Sequence, residues 1–264
     1  MDRVTVNDID RWYRNYVDGF RSGDSVCRKN IDLKDHHTRH VRREIIDIGQ
    51  GLSLSEGDLR MAEALALLHD VGRFPQYARY RTFSDAASED HAALGVAVIE
   101  EQAVLARLDP GEREIIVKSI SVHNKKNLPA GENERCLLFA RLLRDADKLD
   151  IFRVVIDHYL GNDYGEGGAI ELDLSNAPEI SDEVAGDLAA GQIVDMRHVR
   201  TLNDFKLLQM SWVYDINFAK TRERIRERNY LGEIARALPR SKAVEDICRP
   251  LGEWFRVAPG ARIG

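Results

Sequence analysis

Ala64-Leu65-Ala66-Leu67-Leu68-His69-Asp70-Val71-Gly72-Arg73-Phe74 puts a His-Asp pair at the end of an apolar helix, immediately before a glycine. An imidazole or carboxylate buried on such a face is costly unless it is hydrogen-bonded or coordinates a metal. His69 and Asp70 project together, so the imidazole can bind one ion through a single nitrogen while the carboxylate bridges two. Gly72 is expected to let the chain turn sharply after them.

Outward from this pair, further histidines and one aspartate fall on apolar helical stripes. In Asp35-His36-His37-Thr38-Arg39-His40-Val41, helical geometry sends the three histidines to different faces. His37 continues into Val41, Ile45 and Ile48, the buried stripe, whereas His36 and His40 align with Arg43, Glu44 and Asp47 on a solvated face. His91 opens a helix with Gly95 and Val98 on its face, the glycine allowing a neighbouring helix to approach. His123 follows Ile116 and Ile120 at a helix end. Asp147 shares a stripe with Ala140, Leu143, Ile151 and Val154, and Asp150 takes its place only if that helix is rotated. The remaining histidines, His158 and His198, have no partner in the pattern.

Helical spacing dominates the chain, and the expected fold class is all-α. Apolar residues recur three and four apart over Ile9 to Phe20, His37 to Leu52, Leu59 to Val71, His91 to Leu108, Ile115 to Val122 and Leu137 to Leu160. Ser55 with Asp58 forms a capping-box pattern, and Asp109-Pro110-Gly111-Glu112 sets a cap residue, a first-turn proline and an acidic N3 in order. Gly161 to Pro178 breaks the pattern, giving a linker at 161–179. Ala169 to Leu174 alternates like a strand but lacks a partner and is read as loop. A C-terminal helical section follows at 180–264, with Thr201 and Asp204 capping a long helix from Leu202 to Tyr230 and another helix after Ser241. Trp212, Tyr214, Phe218 and Trp254 read as packing aromatics. The whole, 1–264, is expected to be one all-helical unit.

Composition narrows the function classes. With 264 residues, 44% hydrophobic and 31% charged, the chain can bury a core. A net charge of -6 argues against a duplex nucleic-acid binder, which needs a basic face. No apolar run approaches the ~20 residues needed to span a bilayer, the N-terminus lacks a signal-peptide pattern, and the cytoplasm is the expected location. Cys27, Cys136 and Cys248 are odd in number and widely spaced, which suits buried thiols in a reducing compartment rather than disulfides.

His37, the His69-Asp70 doublet and Asp147, in that order and each on a helix, resemble the HD superfamily of metal-dependent phosphohydrolases. The resemblance covers about Asp35 to Tyr159 and implies an HD-domain helical bundle, at 30–160, with additional C-terminal helices. His91 and His123 fit the superfamily's two-metal branches, in which extra histidines complete a second site and the doublet aspartate bridges. The segment His123-Asn124-Lys125-Lys126-Asn127-Leu128-Pro129 lacks the Gly-Tyr-Pro motif of the cyclic-di-GMP branch. Arg73 stands where related two-metal enzymes often carry a lysine that meets substrate phosphate, a task within reach of a guanidinium. Lys125, Lys126 and Lys148 lie beside proposed ligands and are further candidates to meet an anion.

The resemblance implies one or two divalent transition-metal ions (iron, manganese, nickel or zinc), held by His37, His69, Asp70, His91, His123 and Asp147. Asp70 and His69, with Arg73, would then be the catalytic residues of a phosphoester or phosphoanhydride hydrolase acting on a small phosphorylated substrate such as a nucleotide. Two other classes use the same residues. Some HD relatives, including inositol and phosphonate oxygenases, hold two irons with the same four histidines and two aspartates, and a non-catalytic sensor could use metal only to tie its helices together.

Overall fold

The computed structural model describes residues 1–161, 171–172 and 174–254, apart from the side chains of Ala243, Glu253 and Trp254. Most of the linker expected at 161–179, and with it half of the alternating stretch 169–174, lies outside the described residues, as does the side chain of Trp254. The described residues are helical, with no strand among them and one isolated β-bridge, Ser175 to Thr201. They divide into two units, one of 1–151 with 171–172 and one of 152–161 with 174–254.

The first unit contains α1 (Arg3–Asp18), α2 (Ser25–Gly51), α3 (Glu56–Leu68), α4 (Arg73–Tyr80), α5 (His91–Glu101), α6 (Pro110–Val122) and α7 (Glu134–Tyr159) as far as Ile151. Side-chain oxygens start six of these helices, with Asn133 Oδ1 accepting the Cys136 N–H at the head of α7. Asp2, Asp24, Ser55, Asp90 and Asp109 each accept a backbone N–H two or three residues ahead, satisfying donors that the first turn leaves orphaned. Asp24 starts α2 well before His37, so the helix expected from His37 is longer than its apolar spacing indicates.

α3 lies at the centre, packed against α1, α2 and α6. Every residue from Met61 to Leu68 is buried, as expected of a helix with apolar side chains on all faces. Its one buried charge, Glu63, is paired with Arg3 and Arg42. α4 closes one side of this core through Phe74, fully buried, whose ring stands 6.2 Å from Tyr13, 6.2 Å from Tyr16 and 6.0 Å from Phe20 of the N-terminal segment.

The helix expected from His91 to Leu108 stops at Glu101. Ala103 takes a left-handed conformation, φ 50°, and Val104 N–H returns to Ile99 O at 3.0 Å, a Schellman-type closure. Leu105 is nevertheless buried, so the apolar spacing read beyond Glu101 reports packing by a turn.

In the second unit, α8 (Asp182–Ala189) packs on α9 (Leu202–Ser211) and on α12 (Lys242–Trp254), with α10 (Ala219–Glu227) and α11 (Tyr230–Arg236) between the last two in sequence. Thr201 and Asp204 form the expected capping box. The single helix expected from Leu202 to Tyr230 is instead α9, a 3₁₀ turn at Trp212–Asp215, and α10, with Asn229 at φ 51° before α11. No glycine or proline marks these breaks. The Ser211 hydroxyl accepts the distant Val194 N–H, and the Asn217 amide donates to Asp215 O, so side chains redirect the backbone. Trp212 and Tyr230 pack on Phe152 at 5.8 and 5.6 Å, and Trp212, Tyr214 and Phe218 are half-buried. Cys27 and Cys136 are buried free thiols and Cys248 is half-buried.

Phe74→Ala is expected to lower stability by roughly 3–5 kcal/mol, because it empties a full ring from the joint of α1 and α4. Denaturant unfolding of the variant beside the parent measures it, and a loss below 1 kcal/mol would show that the joint is not close-packed.

Candidate metal centre

α3 ends at Leu68, and His69 and Asp70 continue from it into the interior, 0% and 3% exposed. Around them stand His37 from the middle of α2, His91 at the first residue of α5, His123 immediately after α6, and Asp147 on α7. The six residues form two halves that share Asp70. In one half His69 Nε2 is 3.3 Å from His37 Nε2, His37 Nε2 is 3.1 Å from Asp147 Oδ1, and both rings are 3.7 Å from Asp70 Oδ2. In the other, His91 Nε2 is 3.0 Å from His123 Nε2, and these rings stand 3.4 and 3.8 Å from Asp70 Oδ1. Each carboxylate oxygen of Asp70 thus faces one half.

The donor chemistry fits metal ions. Two nitrogens bound to one ion at about 2.1 Å stand about 3.0 to 3.4 Å apart at octahedral to tetrahedral angles, which matches both histidine pairs. Every ring is oriented through its other nitrogen. His69 Nδ1 donates to Ala66 O at 2.8 Å and His123 Nδ1 to Ile120 O at 2.7 Å, while His91 Nδ1 bonds Asp85 at 2.7 Å and His37 Nδ1 bonds Asp150 at 2.8 Å. Carbonyl oxygens only accept, so the proton of a neutral ring is on Nδ1 and the Nε2 lone pair faces inward. His91 Nε2 and His123 Nε2 thus face each other across 3.0 Å, where one ion could take both.

Electrostatics separates the two halves. Burial presses the His69 imidazole down to about 4, and burial with the nearby Arg73 charge does the same to His91, also to about 4, so both rings are neutral ligands at pH 7. Burial opposes the charged form of His37 too, but the hydrogen bonds that its ring donates to Asp147 and Asp150 outweigh it and raise the ring to about 9. Without metal, His37 thus carries a proton between two carboxylates, in the place an ion would take. Burial of Asp70 favours protonation, yet Lys34 and the surrounding His69, His123 and Arg73 hold its carboxyl well below the usual range.

Two glycines and two charged side chains fix the frame. Gly72 has ordinary helical dihedrals, φ -69°, so the sharp turn expected there is not its purpose. A Cβ on Gly72 would lie 2.1 Å from His91 O and 2.6 Å from Gly95 N, so the missing side chain lets α5 come against the His69-Asp70 segment. The close approach expected at Gly95 is present, but Gly72 is the tighter side of it. Arg144 of α7 donates to His123 O at 3.0 Å and also to Lys125 O, satisfying the C-terminal carbonyls of the helix that carries His123. Asp85 binds His91 and also accepts from Arg73 and Gln76, both at 2.9 Å.

His36 is exposed, and half-buried His40 bonds back to His36 O, as the polar-face reading expects. Asp150 bonds the outer nitrogen of His37, behind the donor set, while Asp147 supplies the oxygen within it. Arg73 Nη1 is held by Gln76, Phe83 O and Asp85, with Nε 3.6 Å from Asp70. Lys125 is paired with Asp90, the cap of α5. Lys148 is buried and Lys126 exposed. His198 bonds Asp187 within the second unit. Sequence reading missed Lys34, whose ammonium is 2.9 Å from Asp70 Oδ2, together with Asp85 and Arg144. Lys34 lies one turn before His37, a spacing that could have marked it, but lysine on a helix is usually solvated. The positions of Asp85 and Arg144 in the centre depend on chain crossings.

Compared with known proteins, residues 35–151 match the family model of the HD domain. No curated protein and no solved structure matches the chain.

Gly72→Ala is expected to push α5 away, lowering the bound metal per chain and the melting temperature together. Metal analysis after reconstitution, with thermal denaturation, checks this. Parent-like values for both would mean that the approach of α5 does not govern the second half of the centre.

Proposed function

We propose, on the premise that this chain carries an HD domain, that it is a metal-dependent phosphohydrolase cleaving a phosphoester or phosphoanhydride bond of a small substrate, nucleotides being the first class to test. The HD superfamily is mostly hydrolytic. The observation that carries the reading is the division of Asp70, whose two oxygens each face one histidine pair.

When bound, the ions would lower the pKa of a coordinated water to supply hydroxide near neutral pH and would draw charge from phosphate oxygens. His37, His69, Asp70 and Asp147 would hold one ion, and Asp70, His91 and His123 the other. The protein's own contribution is preorganisation. Four rings locked through Nδ1 cannot swing away, Asp70 fixes the two halves to each other, and Asp150 and Asp85 keep His37 and His91 oriented. No side-chain nucleophile is needed. Iron, manganese, zinc and nickel all suit imidazole with carboxylate, so the native metal follows geometry and availability.

The same four-histidine, two-aspartate set supports a second reading, a di-iron oxygenase. Reconstitution with each metal, followed by phosphate release from a panel of nucleotides, sugar phosphates and aryl phosphates, separates the two. Phosphate release is expected, and Asp70→Asn and His69→Ala should each reduce it by about 100-fold or more, a loss above about 2.7 kcal/mol of transition-state stabilisation. Dioxygen uptake by the iron-loaded protein without phosphate release would replace hydrolysis with oxygenation.

A further inference from the structure

Lys34 occupies a position in the centre that the donor set leaves unexplained. It stands on α2 three residues before His37 and therefore on the same helical face. Its Nζ is 2.9 Å from Asp70 Oδ2 and 5.2 Å from the centre of the Phe83 ring, so the ammonium is held from two sides. Among Lys34 and the six donors, only Lys34 and Asp147 keep appreciable side-chain exposure, 17% and 16%, whereas the others keep 4% or less. Within this set, solvent therefore reaches Lys34 and Asp147, both of which contact the half containing His37 and His69.

Charge balance gives this lysine a task. Four neutral imidazoles and two carboxylates leave a net positive charge with two divalent ions in place, so a ligand reaching the centre from solvent is favoured if anionic. Arg73 is more tightly tied to the scaffold, because three acceptors hold its Nη1 and the Asp85 carboxylate offsets its charge, which leaves its buried Nε as the donor without a hydrogen-bond partner. Lys125 is likewise paired with Asp90. Lys34 is paired with Asp70 Oδ2, the oxygen that faces the His37 and His69 half and that an ion there would also engage. Metal loading therefore weakens the lysine's hold on Asp70 and leaves an ammonium that solvent reaches.

We infer that Lys34 is the cation that meets the anionic oxygens of the substrate, a phosphoryl-binding residue released from Asp70 when the metal binds. This rests on the phosphohydrolase reading above. In metal-free protein Lys34 serves as counter-charge to Asp70, and in loaded protein it turns to the ligand.

Calorimetric titration of manganese-loaded protein with inorganic phosphate, paired with metal analysis of the same samples, tests the assignment. Lys34→Gln is expected to keep the parent's metal content and to bind phosphate at least about tenfold more weakly, the loss of one charge-assisted hydrogen bond. Lys34→Arg should retain binding within about threefold, since it preserves the charge. Phosphate affinity of Lys34→Gln within about threefold of the parent would overturn the assignment. Loss of metal from Lys34→Gln would also overturn it, making the lysine a support for Asp70. Failure of the loaded parent itself to bind phosphate would instead overturn the phosphohydrolase reading, and this inference with it.

Discussion

Two imidazoles whose Nε2 atoms face each other at 3.0 Å stand at the spacing of two ligands on one ion, and the packing around His91 and His123 in this protein's first unit holds them there. His91 and His123 come from different helices, and each is denied an easy retreat. The Nδ1 of His123 is bound to the last turn of its own helix, and that of His91 to Asp85. An ion bound there would add to stability, since binding energy of a ligand taken up only by the folded state favours that state.

The surrounding packing works to keep the donors in register. From Met61 to Leu68 α3 is buried on every face, so His69 and Asp70, which follow it, are carried into the interior. Gly72 then brings α5 close enough for His91 to reach Asp70, and Arg144 secures the end of α6 behind His123. These supports are a glycine just before α4 and an arginine in the middle of α7 that reaches the end of α6. The apolar core sets where the helices lie, and such small and polar residues set how precisely the ligands meet.

The centre is asymmetric in charge. His37 stands between Asp147 and Asp150, two carboxylates that raise its affinity for a proton, whereas His69 and His91 are kept neutral by burial. Lys34 and Arg73 both approach Asp70, yet their surroundings differ. Arg73 is tied into the loop that holds His91, while Lys34 reaches Asp70 from the half-exposed edge. A cation bound into a scaffold serves position, and one whose partner is shared with a metal can change partners.

The helical class, the buried stripe that selects His37 over His36 and His40, and the order of the histidines and aspartates were legible in the sequence. They depend on periodicity and on the cost of burying an unpartnered polar group, and both act over a few neighbouring residues. Helix ends without glycine or proline were not legible. The break after Ser211 depends on a hydroxyl caught by Val194, seventeen positions earlier in the chain, and the stop after Glu101 on a left-handed alanine. Asp147 was legible on its apolar stripe, whereas only the tertiary structure shows its neighbours Arg144 and Asp150 turned inward, one to cap the end of α6 and the other to orient His37. Local spacing determined which side chains face the core. Only the crossing of distant helices decided which of them meet, because a distance of three ångströms between residues a hundred positions apart is set by packing.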